Sequence, residues 1–339
     1  MGSESSDGQA LSSRRNTQLE SRLRTYEDAV NHFKKNDRMK VYDLQAVRAL
    51  TLSWNCDGTR LACGAEKSVA VATLDSSYRV KDIFHGYGHN DQVDQVAFHR
   101  TNPNLVASAS CDHTIRIWDI RQTRTHTKLP TKAQNLNVAW SPCGSYLLYG
   151  DKEDTISIVD GRSLKTVRVE SFKEETNEFA FDPTGKFLFV ALGGGKLNIY
   201  AMPEMKLLRS IQAHSPQATC MCVSLSPNGE RLALGASDAL CSLWDVKQLI
   251  CEKVIGRMDY PLRSCSFSFD SQLLANASED HFIDIAWSST GERVCELRLN
   301  AETYSCAWHP YAYLLAFASA VSIDSRDRDM SVRLFGFSQ

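Results

Sequence analysis

The sequence predicts an all-β fold: a β-propeller of seven four-stranded blades, closed by an N-terminal strand and preceded by a short helix. Three observations carry that prediction. Apolar residues that close an alternating segment recur at Trp54, Phe98, Trp140, Phe181, Leu225, Phe267 and Trp308, with separations of 44, 42, 41, 44, 42 and 41 residues. That is the period of one propeller blade. Seven residues past each anchor stands a leucine: Leu61, Leu105, Leu147, Leu188, Leu232, Leu274 and Leu315. Four past it, the first, third, fourth and fifth repeats place Gly58, Gly144, Gly185 and Gly229, where a turn needs backbone freedom.

The fullest copy of the unit is GHNDQVDQVAFHRTNPNLVASASCDHTIRIWDIR, residues 88–121. Its Gly88-His89 pair, followed about thirty residues later by Trp118-Asp119, has the spacing of a WD repeat, which makes the predicted ring a WD-repeat propeller. His89, Asp112 and Trp118, with a strand serine (Ser108 or Ser110), are expected to form a hydrogen-bond network that fixes the blade rather than a catalytic cluster. His214, Asp238 and Trp244 repeat the arrangement in the fifth blade, whereas Asp280 and Glu66 have no histidine before them. Two copies of one His/Asp/Trp set indicate a structural device.

Taken in order, residues 1–16 are polar and serine-rich, with no face to bury, and are expected to be disordered. Residues 17–37 are expected to hold an amphipathic helix. Leu19, Leu23, Tyr26, Val30 and Phe33 fall on one stripe, and Thr17 to Glu20 offers a capping box. The stripe either packs on the protein's own surface or docks a partner or second copy, so these five residues are candidate partner contacts. The propeller spans 38–339. Third strands read SVAVAT, TIRIW, TISIV, KLNIY, LCSLW, FIDIA and SVRLF, but only six fourth strands follow them. Met39 to Leu44 is an alternating segment left over before the first repeat, and pairing it beside SVRLF closes the ring and removes an open edge. The seventh repeat carries a long charged insertion, Ala318 to Met330, whose Asp324, Arg326 and Arg328 are further candidate partner contacts, disordered when unbound.

Composition narrows the function classes. A net charge of −2 gives no basic excess for nucleic acid and no polybasic run for a membrane. Eleven cysteines without a C-x-x-C pair suggest neither zinc nor a disulfide framework, and read as small buried apolar groups of a reducing compartment. No stretch approaches the roughly 20 apolar residues of a spanning helix. There is no G-x-S-x-G and no P-loop motif. Gly193 to Gly195 read as a turn, and His281 to Asp284 lack metal-ligand spacing. Neither catalysis, nor a cofactor, nor a small-molecule substrate is expected.

Several segments carry a more particular likeness: GHNDQVDQVAFH (Gly88 to His99), GASDALCSLWDV (Gly235 to Val246), RMDYPLRSCSFS (Arg257 to Ser268), SEDHFIDIA (Ser278 to Ala286) and AWHPYAYLLAFA (Ala307 to Ala318). The most specific is HFIDIA, where Ala286 stands in place of the usual tryptophan. Over roughly residues 40–339 the chain resembles the third-subunit family of the THO complex, the nuclear assembly that couples transcription to messenger RNA packaging and export. The resemblance implies a nuclear, non-catalytic scaffold whose partners are the other THO subunits, with RNA contacted through the assembly. A second reading is a substrate receptor of a cullin-type ubiquitin ligase. Val106 to Arg121, ending in Asp119 and Arg121, looks like the box that recruits some WD-repeat proteins, and Leu232 to Lys247 is a looser copy. A phosphoinositide-binding propeller would need a paired-arginine motif on a late blade, which is absent from the sequence.

Overall fold

A computed structural model describes residues 22–42, 49–75, 79–122, 125–319 and 332–337. Seven antiparallel four-stranded sheets succeed one another along the chain. The first strand of each blade lies innermost: Ala49–Trp54, Val93–Phe98, Asn135–Trp140, Thr176–Phe181, Cys220–Leu225, Leu262–Phe267 and Thr303–Trp308. Every one of these strands ends on its anchor, because the anchor is the last apolar residue before the turn back into the second strand. The core is a series of seams in which one blade's face packs against the next, as Phe84 and Trp118 do with Val93, Val96 and Val106 between the first and second blades. One face of a blade is thus buried only by its neighbour.

The ring closes on the seventh sheet. Its outer strand, Arg38–Tyr42, comes from the beginning of the chain and pairs antiparallel with Val332–Phe337. Met39 faces Phe335 and Tyr42 faces Val332 in that ladder.

In the turns after the inner strands, Gly58 and Gly144 both adopt φ of 74°. A Cβ at Gly58 would lie 2.5 Å from Nε2 of His309, and one at Gly144 would lie 2.2 Å from Cε1 of His99. The same position therefore needs glycine twice over, for its left-handed backbone and for the histidine that the preceding blade lays on it. At the junction of blades seven and one this contact is also bonded. His309 Nε2–H donates to the Gly58 carbonyl at 2.8 Å, and its Nδ1 accepts from the Tyr311 amide at 3.1 Å. Burial pushes the His309 pKa down to about 4, which keeps it in the neutral tautomer that both bonds require.

Two expectations need correction. Leu105 is not the equivalent of the other six leucines. The turn of blade two, His99 to Asn104, is one residue longer, so Phe98 faces Val106, whereas Trp140 faces Leu147 and Trp308 faces Leu315. The helix, which we call α1, covers only Tyr26–Lys35. Its N-cap is Thr25, whose hydroxyl accepts from the Asp28 amide at 3.1 Å while the Asp28 carboxylate accepts from the Thr25 amide at 3.1 Å. Thr25 and Asp28 thus form the capping box of this helix. Thr17, Leu19 and Glu20 lie outside the described residues, as do residues 1–16 and the insertion with Asp324, Arg326 and Arg328.

Candidate functional site: internal networks, channel and outer edges

The second blade contains a one-directional chain of donors. Trp118 Nε1–H donates to Ser108 Oγ at 2.8 Å, the Ser108 hydroxyl meets His89 Nε2 at 2.7 Å, and His89 Nδ1 meets the Asp112 carboxylate at 2.9 Å. Only one assignment satisfies all three: serine donates to Nε2 and Nδ1–H donates to aspartate. Asp112 accepts further from the Thr114 hydroxyl at 2.6 Å and the Asn90 amide at 3.0 Å. Burial opposes the aspartate's charge, but these bonds outweigh it and hold its pKa down to about 2. Burial dominates at His89 and lowers its pKa despite the neighbouring carboxylate. The side chains of His89 and Asp112 are 0% and 3% exposed. Both ring nitrogens are engaged and both side chains are buried, so the group ties the strands of the blade together.

The fifth blade builds the same chain with a relocated serine. Trp244 Nε1 donates to Ser242 Oγ at 2.8 Å, Ser242 meets His214 Nε2 at 2.8 Å, and His214 Nδ1 meets Asp238 at 3.0 Å. Ser242 stands two residues before the tryptophan on its own strand, while Ser108 comes from the strand beside it. The hydroxyl is conserved in space between the two blades, not in sequence position.

Blade six solves the problem with charge, through residues outside the predicted His/Asp/Trp sets. Arg257, in a Gly-Arg pair where blade two has Gly-His, donates through Nε at 3.0 Å and Nη2 at 2.6 Å to the two oxygens of Asp284. Arg293 adds a bond of 2.8 Å to the same carboxylate. Asp284 is fully buried and occupies the third-strand position that Ser242 fills in blade five. Asp280 binds the Asp259 and Tyr260 amides instead of a histidine. The available signal was the arginine after Gly256 combined with an aspartate inside an otherwise apolar strand.

The inner strands line a central channel. One position before each anchor the sequence has only serine or alanine: Ser53, Ala97, Ala139, Ala180, Ser224, Ser266 and Ala307. Where it is serine, the hydroxyl can tie one blade to the next, as Ser53 does by accepting from the Phe98 amide at 3.0 Å and Ser266 from Trp308 at 3.2 Å. Two positions deeper, Gln95 bridges the Val138 amide, at 2.6 Å, and the Glu178 carboxylate, at 2.9 Å. Withdrawal from bulk water pushes the Glu178 pKa up to about 7.

On the outside, α1 lies against the outer strand of blade six, Arg293–Arg298, and the adjoining face of blade seven. Phe33 stacks on Phe335 with centroids 5.5 Å apart, Tyr26 donates its hydroxyl to the Arg293 carbonyl at 2.8 Å, and the Leu23 amide donates to the Tyr313 hydroxyl at 2.8 Å. Leu23 and Phe33 are buried, and Tyr26 and Val30 are partly buried against the same cluster. Of the two readings of the stripe, these four residues show packing on the protein's own surface. The outer strands of blades three, four and five, Thr166–Ser171, Lys206–Gln212 and Ile250–Ile255, have no such cover among the described residues. Val167, Val169, Leu207, Ile250 and Val254 are each at least half exposed there.

Asp119 and Arg121, the end of the ligase-type box, form a bidentate pair with each other at 2.9 and 2.6 Å, with Asp119 buried. No cluster of metal ligands occurs among the described residues, and no described helix is long and apolar enough to cross a membrane. All eleven cysteines are free thiols.

Repeating blades, inner-strand anchors and His-to-Asp chains together define a WD-repeat β-propeller. The sequence profile of the WD domain, G-beta repeat family matches residues 81–119 and 205–245. Each match takes the outer strand of one blade with the three inner strands of the next, and each ends in a blade with a complete histidine network. Among solved structures, the Cps50 (Swd1) β-propeller domain of Myceliophteria thermophila superposes with a TM-score of 0.77, covering 89% of this chain and all of that one at 17% identity. That likeness concerns the fold. THO complex subunit 3 of Arabidopsis thaliana is 33% identical over 298 residues, 85% of this chain and 91% of that protein. WD repeat-containing protein AAC3 of Dictyostelium discoideum is 27% identical over 86% of this chain and 65% of its own length. The chain belongs to the THO complex subunit 3 family.

Proposed function

We propose that this protein is a non-catalytic scaffold subunit of a nuclear THO-type assembly that couples transcription to the packaging and export of messenger RNA. The observation that carries the scaffold reading is the run of exposed Val167, Val169, Leu207, Ile250 and Val254 along the outer strands of three consecutive blades. Apolar side chains gathered on uncovered edge strands mark surfaces that another chain covers. The 33% identity to a THO subunit over nearly its whole length supplies the kind of assembly. The His/Asp groups that could do chemistry are consumed in holding blades. A net charge of −2 supports indirect contact with RNA, since direct affinity rests on many cations neutralising phosphates.

Affinity purification of the tagged full chain from nuclear extract, with and without ribonuclease, tests this. The expected result is recovery of the other THO subunits, insensitive to ribonuclease, and its loss on Val169→Asp with Val254→Asp at unchanged melting temperature. Recovery of a cullin adaptor and no THO subunit would establish the ligase reading in its place.

A further inference from the structure

The turn that follows each inner strand puts one residue, two past the anchor, at the mouth of the central channel. Six of the seven are uncharged: Pro142, Pro183, Pro227 and Pro310, with Cys56 and Phe269. The seventh is Arg100. It borders both contiguous cavities of this mouth, of about 560 and 490 Å³. Arg100 donates no hydrogen bond to any described residue and takes part in no ion pair among them. Asp182, which lines the same cavity, is held in its own turn, where it accepts from the Thr184 amide at 3.0 Å and the Phe187 amide at 2.7 Å. Glu178 lies deeper and is held by Gln95.

Other arginines near blade interiors are paired. Arg257, Arg263 and Arg293 each have a carboxylate. Arg100 is open to the water inside the channel, yet it is surrounded by the ring, and that withdrawal from bulk solvent lowers its pKa. A guanidinium kept in such a place without an ion-pair partner among the described residues favours an anion that comes from outside.

The surroundings select the anion. A nucleic-acid strand brings a phosphate at every residue, and one cation among prolines leaves all but one of them unmatched. A single carboxylate flanked by apolar groups fits both the charge and the collar. We propose that the channel mouth is a binding site for an apolar peptide segment bearing one carboxylate, which Arg100 receives in a bidentate pair while the prolines and Phe269 cover the flanking side chains. The site is independent of the outer strands, so the THO reading and this one can fail separately.

The test uses the full chain and an array of eight-residue peptides, varied over Leu, Ile, Phe, Pro and Gly around one central Glu, beside the same array with Gln at the centre. The expected result is selective retention of Glu peptides, weakened roughly ten- to a hundredfold by Arg100→Gln and less by Arg100→Lys, as the loss of a charge-assisted pair requires. Melting temperatures of both variants should match the parent, because Arg100 has no internal bond to lose. Equal retention of Glu and Gln peptides, retention that survives Arg100→Gln, or no retention at all would overturn the proposal. Arg100-dependent binding of a labelled oligouridylate in preference to the peptides would overturn it in favour of a nucleic-acid site.

Discussion

Blades two and six meet the same demand, that strands of a thin sheet be locked where polar groups are buried, in opposite ways. Blade two relays one neutral hydrogen bond to the next until a single carboxylate absorbs the chain. Blade six puts that carboxylate in the middle of a strand and brings two guanidiniums to it. The relay depends on a tryptophan, and the charged version does without one, so Ala286 can stand where Trp118 stands. The difference teaches that a polar centre between a blade's strands can be satisfied in more than one way, and that the repeat signature is only one of them.

Substitutions can break that comparison. Trp118→Ala should have the largest effect, a loss of about 3–5 kcal/mol read by denaturant unfolding, because it removes the largest fully buried side chain and ends the relay. Acidification should come next, through the seam between blades seven and one. A folded His309 pKa near 4 lies below the ordinary 6.5. The unfolded chain therefore takes up that proton first, and against the opposite drift from Glu178, whose folded pKa near 7 lies above its ordinary 4.5, the share of stability that depends on His309 falls from pH 6.5 toward pH 4, by about 3 kcal/mol at the lower end. His309→Asn should flatten that slope in melts recorded across the interval. Asp112 adds to the acid loss only below about pH 4, since its folded pKa is near 2.

Asp284→Ala should cost about 2–3 kcal/mol, less than a fully buried pair, because Arg257 and Arg293 are 28% and 33% exposed and can turn to water. An Asp284→Ala loss equal to that of Trp118→Ala would mean the two centres are equally dry. Leu23→Asp with Val30→Asp should lower the melting temperature by the equivalent of about 1–3 kcal/mol through loss of apolar burial. A single Val169→Asp, on an uncovered edge, should stay within about 0.5 kcal/mol.

Most of the ring was legible because its signal repeats. All seven anchors close inner strands, and the shortage of a fourth strand in the last repeat pointed to the N-terminal segment that pairs with Val332–Phe337. What was not legible depended on single insertions and on chemical equivalence. One extra residue in the turn after Phe98 moves Val106 into the place of Leu105, which a fixed offset cannot register. Arg257 does at Gly256 what His89 does at Gly88, and a search for histidine passes over it. The stripe of α1 could be read from spacing, but whether blades or a partner cover it was decided by tertiary packing alone. The serines and alanines that face the channel were countable in the sequence; their meaning required knowing that the preceding strands converge.

The ring's clasp also sets an order of events. Arg38–Tyr42 precedes every other strand of the propeller and Val332–Phe337 follows them, and the Leu23 to Tyr313 bond joins residues 290 positions apart. Contacts of such separation form late, because the intervening chain must first be compact. During synthesis, α1 and its strand emerge ahead of the blades and lack their pairing partners until the seventh blade emerges. For that interval the stripe that the folded protein hides has no blade to cover it, so its burial waits on the seventh blade.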